Sequence, residues 1–94
     1  MKVDSGGQIL LDGDNGAKIN SSTGDLTGDI NPGLRTSIKE NFRKNQITKP
    51  DEINENNIIR VKNALVAIIG QEATDKLRDP AKQVNAAKNL FNRT

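Results

Sequence analysis

Residues 58–69 read IIRVKNALVAII, and the spacing of their apolar side chains organises the rest of the chain. Ile58, Val61, Leu65 and Ile68 alternate steps of three and four, which places them on one face of a helix. Ile59, Val66 and Ile69 add a second flank, so the helix is apolar around most of its circumference. That pattern belongs to an element covered on several sides. Its longest apolar run, residues 64–69, falls far short of the ~20 residues a membrane span needs. The other segments are therefore read by how they could cover this central helix.

Three prolines mark where neighbouring helices begin. Asn31-Pro32, Lys49-Pro50 and Asp79-Pro80 each place proline where its missing N–H costs nothing, at the first helical position. Asn31 and Asp79 also have side-chain oxygens suited to capping free N–H groups of a first turn. From Pro32, Leu34, Ile38 and Phe42 fall four apart; from Pro80, Val84, Ala87, Leu90 and Phe91 form the last amphipathic stripe. The central helix starts at Pro50, or at Asn54 if its first turn is irregular. Gly70 either ends it as a left-handed cap or sits inside a helix running on through Ala73 and Leu77. The expected fold is mainly α: a small three- to four-helix unit over residues 31–94, with helices near 32–45, 50–69, 71–78 and 80–92.

Residues 1–30 have a different character. Through residue 34, two lysines stand against five aspartates, a balance of −3, whereas the other 12 basic and 7 acidic groups leave +5 beyond it. In and just after GGQILLDGDNGAKI, residues 6–19, QILL (8–11) and AKIN (17–20) are short strand candidates around an Asn15-Gly16 turn signal. A tight turn centred on Asn15 and Gly16 would set Ile19 against Asp12. A five-residue loop over 12–16 instead pairs Leu11 with Ala17 and Ile9 with Ile19 on one face, and that register is expected. TGDLTGDI, residues 23–30, repeats Thr-Gly-Asp with period four, in too few copies for a solenoid. Because a lone hairpin is marginal in water, residues 1–30 form a β-hairpin or extended arm that is either flexible or held by the helices, another subunit or a partner.

Composition removes whole classes of chemistry. The chain has 94 residues, no Cys and no His, so thiolate metal sites, disulfides, thiol nucleophiles and imidazole bases are all absent. No pair of carboxylate, Lys, Ser or Thr side chains sits at a spacing that a reaction requires, and we expect neither catalysis nor a cofactor nor a small-molecule substrate. An EF-hand loop needs oxygen ligands at its first, third and fifth positions, Gly at the sixth and a bidentate Glu at the twelfth. Counting from Asp12 puts Ala17 sixth and Thr23 twelfth; making Gly16 sixth puts Leu11 first. A weaker site on Asp12, Asp14 and Asn15 competes with the ordinary turn preference of these residues, and no metal is expected. MKVDSGG at the start lacks the apolar segment of a secretory signal, so the chain is expected to be soluble, in a cytoplasm or a virion.

Two kinds of partner remain. The basic set Arg43, Lys44, Arg60, Lys62, Lys76 and Arg78 suits nucleic-acid phosphates, with Gln71, Thr74 and Arg78 as a conceivable reading helix after a turn at Gly70. Its charges are interleaved with Glu40, Glu55, Glu72 and Asp75, which is also how a solvated surface looks. The alternative is a protein interface. Two phenylalanines are the only aromatics, and a core that thin favours support from copies of itself or a protein partner. Ile9, Leu11 and Ile19 would anchor the arm to a neighbour, and Ile58, Leu65, Ile69 and Phe91 would build the helical core or interface.

Residues 7–19 resemble the Gly-punctuated β-turn segments of phage tail-fibre and baseplate-type virion proteins, in which Ile and Leu point inward and Asp-Gly or Asn-Gly makes the bend. The resemblance implies a structural component whose β segment completes itself against neighbouring chains, without catalytic residues. The leading expectation is thus a non-enzymatic structural or interaction component of a homo-oligomer or larger assembly of virion type. A small nucleic-acid-binding helical module is the alternative.

Overall fold

The computed structural model describes residues 2–3, 6–11 and 16–94. Four short strands, β1 (Lys2–Val3), β2 (Gln8–Leu10), β3 (Lys18–Asn20) and β4 (Leu26–Thr27), precede four helices: α1 (Pro32–Lys44), α2 (Ile58–Ile69), α3 (Gln71–Lys76) and α4 (Pro80–Asn92). The fold is mainly α with a β element at the N-terminus. That element is an antiparallel meander in the order β1-β2-β3-β4, larger than the expected hairpin. Its central register is the expected one, with Ile9 opposite Ile19 and the Leu11 N–H donating to the Ala17 carbonyl at 2.9 Å. The loop residues 12–15 between them lie outside the described residues.

One hydrophobic core runs across the change of composition at Pro32. Ile9, Leu11, Ala17, Ile19, Leu26 and Ile30 from the N-terminal segment pack with Ile38, Phe42, Val61, Leu65, Ile69 and Leu90 from the helices. The meander therefore leans on the helices of its own chain. A four-stranded element this short buries too little to stand alone, and the helices gain cover for a face of α2.

Local chemistry sets the helix limits. The Asn31 side chain accepts from the Leu34 N–H at 2.8 Å, so α1 starts at Pro32 as its sequence implies. Pro80 likewise opens α4, but Asp79 makes no capping bond through its side chain, contrary to expectation. Gln83, itself buried, instead reaches back from the first turn to donate to the Leu77 carbonyl at 2.7 Å. The central helix starts later than residue 50. Pro50–Glu52 and Glu55–Asn57 form two 3₁₀ turns, because Asn54 accepts from the Asn57 N–H and its amide donates to the Asp51 carbonyl, closing each turn locally. At Gly70 the backbone takes φ 89° and ψ 164°, a region open essentially to glycine alone, and α2 ends there as a distinct α3 begins.

Candidate functional site

Along α1 each residue of the apolar stripe is followed by a cation: half-buried Leu34 by Arg35, buried Ile38 by Lys39, buried Phe42 by Arg43. A shift of one residue is about 100° around a helix, so a basic ridge runs beside the stripe that α1 buries. Arg35, Lys39, Arg43 and Lys44 are all exposed, and Glu40 is the one carboxylate on the helix. Among the described residues, no carboxylate pairs with Lys39 or Arg43.

The ridge borders an open pocket of about 170 Å³ lined by Lys39, Arg43, Ile47, Thr48 and Phe91. Its walls are fixed by three separate devices. At the end of α1 the Ile47 N–H donates to the Phe42 carbonyl and the Gln46 N–H to that of Arg43, both at 2.9 Å. This crossed pair closes the helix as a Schellman motif and folds Ile47 back against Phe42. Gln46 occupies its left-handed position, φ 63°, where glycine is the usual residue. Thr48 is held through the Glu52 carboxylate, which accepts from the Thr48 N–H and hydroxyl at 2.9 Å and from the Lys49 N–H at 3.0 Å. These donors, the two from Thr48 first, hold the Glu52 pKa below the ordinary glutamate range, and the Arg60 charge adds to them. Phe91 is half-buried and meets the fully buried Phe42 edge-on, ring centroids 5.3 Å apart.

Chemically the site is an apolar depression with two cations on its rim that have no carboxylate partner among the described residues. The Thr48 hydroxyl proton is committed to Glu52, so side-chain donors toward a ligand fall to Lys39 and Arg43. Among the described residues no three acidic side chains gather around a possible metal position, and the set Asp12, Asp14 and Asn15 lies outside those residues. No described helix is long and apolar enough to cross a membrane.

Ile9, Leu11 and Ile19, expected to anchor the arm to a neighbour, are buried in the chain's own core. Of the residues expected in the helical core or interface, Leu65 and Ile69 are buried in that core, while Ile58 and Phe91 pack at its edge. Buried side chains cannot serve a partner unless the fold opens. Among the described residues, Ile59 is the large apolar residue left uncovered, 75% exposed on the outer side of α2. Of the basic set, Arg43 and Lys44 end α1, Arg60 and Lys62 lie in α2, Lys76 ends α3 and Arg78 follows it, all exposed. Their placement does not form the conceived reading helix: α3 has only 6 residues, Thr74 is fully buried with its hydroxyl on the Gly70 carbonyl, and Arg78 lies past the helix end.

A polar row on α4 was missed by the sequence reading. Asn85 donates to the Thr23 carbonyl (2.8 Å) and the Asp25 carboxylate (3.0 Å), Asn89 to the Gly24 carbonyl (3.1 Å), and Arg93 to the Gly28 carbonyl (2.7 Å). The three side chains are four residues apart, and their acceptors all lie within TGDLTGDI, a polar stretch that was the available signal. Compared with family models, curated protein sequences and solved structures, the chain has no significant match.

Proposed function

We propose that the chain is a non-enzymatic interaction component of a homo-oligomer or larger assembly, of the virion type that residues 7–19 resemble. The observation that carries this reading is the outer face of α2. Ile59 stands 75% exposed there, and Asn63, half-buried Val66 and exposed Ala67 follow it at helical spacing. An isoleucine left three-quarters exposed by its own fold gains about 2 kcal/mol if a neighbour covers it. The small Ala67 leaves room for a second helix to approach this row. The contact is thus assigned to Ile59 and its row, in place of the residues that the core consumes.

Light scattering and sedimentation equilibrium on the full chain test it. Concentration-dependent association is expected, with Ile59→Asp shifting the protein to monomer while its melting transition stays intact. A wild-type protein that remains monomeric throughout the accessible concentration range overturns the reading.

A further inference from the structure

We infer that the pocket between α1 and α4 is a docking site for an acidic peptide segment of a partner protein, one large apolar side chain entering the cavity and flanking carboxylates pairing with Lys39 and Arg43. The inference goes beyond self-association through α2, and uses a different surface.

Size comes first. A cavity of about 150 Å³ lined by apolar side chains holds a benzene molecule, so about 170 Å³ suits one phenyl ring or a leucine or methionine side chain. It is too small for a compact folded element. The exposed part of Phe91 and the methylene stems of Lys39 and Arg43 supply apolar contact over a floor closed by Ile47, which is 1% exposed, and a ring entering beside Phe91 extends the edge-to-face pair that Phe91 makes with Phe42. Charge then selects the flanks. Lys39 and Arg43 stand one helical turn apart, about 6 Å along the axis, and Arg35 and Lys44 extend the same positive field. Two carboxylates one turn apart on a partner helix match that separation. The walls need little ordering on binding, since the Schellman closure sets Ile47 and the Glu52 bonds set Thr48, and a preorganised pocket retains more of its contact energy as affinity.

Nucleic acid fits this surface less well. Phosphate binding grows with the number of charges neutralised along a backbone and makes no use of an apolar hole. Base stacking uses open ring faces, and Phe91 is half-buried against Phe42.

The test is an NMR titration of the isotope-labelled full chain with a short Glu- and Asp-rich peptide carrying one central Phe. A Phe→Ala peptide and a single-stranded DNA oligonucleotide serve as the other arms. Shifts centred on Lys39, Arg43, Ile47, Thr48 and Phe91 are expected, with affinity falling roughly tenfold or more for the Ala peptide and for the Lys39→Glu/Arg43→Glu double variant. Both substituted positions are exposed, so the variant is expected to keep the wild-type spectrum elsewhere. Equal affinity for the Ala peptide, shifts located away from the pocket, no binding at low salt, or tighter binding of the DNA at these residues each overturns the inference. None of these outcomes depends on the state of Ile59, so light scattering on Ile59→Asp reports separately on self-association.

Discussion

The Arg93 guanidinium donates to the Gly28 carbonyl at 2.7 Å, one helical turn beyond the Asn89 amide that donates to the Gly24 carbonyl at 3.1 Å. The two acceptors are the glycines of the tandem repeat, both at positive φ (84° and 83°), so each copy of the repeat turns one carbonyl toward α4. Leu26 and Ile30, the apolar members of the same repeat, enter the core. Thr-Gly-Asp-Leu followed by Thr-Gly-Asp-Ile is therefore a docking strip, offering carbonyls to α4 and side chains to the interior.

Removing this row should loosen the meander before the helices. Asn89→Ala leaves the Gly24 carbonyl without its side-chain donor and is expected to cost about 1–2 kcal/mol. Arg93→Ala, at an exposed site, should cost less. Urea unfolding gives the totals, and amide exchange locates them: protection should fall first in β3 and β4, while α2 exchanges at the global rate.

Two glycine substitutions separate crowding from backbone strain. A Cβ on Gly24 would lie 2.5 Å from the Lys82 carbonyl oxygen and 3.1 Å from the Ala86 nitrogen, with φ at 84° as well. A Cβ on Gly70 would meet nothing within 4 Å, although its φ and ψ disfavour any side chain. Gly70→Ala is expected to cost about 1–3 kcal/mol from conformation alone. Gly24→Ala should cost more, because the meander must also move off α4. Thermal melts of the two variants decide it, and equal costs would show that the strip can shift freely.

Much of this architecture was legible in the sequence, for reasons that differ between elements. Pro32 and Pro80 announced their helices because a missing N–H is harmless only in a first turn. Ile9 paired with Ile19 because a period of two tolerates no slip once one face is buried. Pro50 misled, since Asn54 and Asn57 close 3₁₀ turns through side-chain bonds that compete with helix. Strands β1 and β4, two residues each, are too short for any alternation to register. The pocket was invisible for a related reason. Ile47 and Thr48 lie in an aperiodic linker, and only the fold brings Phe91 to them from the far end of the chain.

Acid should reveal the bonds around Glu52. Its folded pKa is lowered by the Thr48 and Lys49 donors, so the unfolded chain binds its proton more readily than the folded one. The stabilisation is fully present above the ordinary glutamate pKa and is lost as pH falls through the lower folded value. Glu52→Gln should therefore be less stable than wild type at neutral pH. The difference should shrink through the acid range, as followed by urea midpoints against pH. A difference independent of pH would mean that the carboxylate charge contributes nothing to holding Thr48.

The last prediction concerns Gln46, the one described non-glycine residue at positive φ. Its left-handed backbone lets the Ile47 N–H reach the Phe42 carbonyl and so places one wall of the pocket. A side chain in this region costs roughly 1 kcal/mol relative to glycine, part of which glycine returns through the greater freedom of its unfolded chain. Gln46→Gly should accordingly raise stability by about 0.5–1 kcal/mol, read as a higher urea midpoint at unchanged slope. Because the motif itself is retained, binding of the acidic Phe peptide should be unaltered. Gln46→Val should do the reverse on both counts, since a β-branched side chain resists this φ and the closure that seats Ile47 would relax. If the glycine variant were less stable than wild type, the Gln46 side chain would have to make a contribution larger than the strain it imposes.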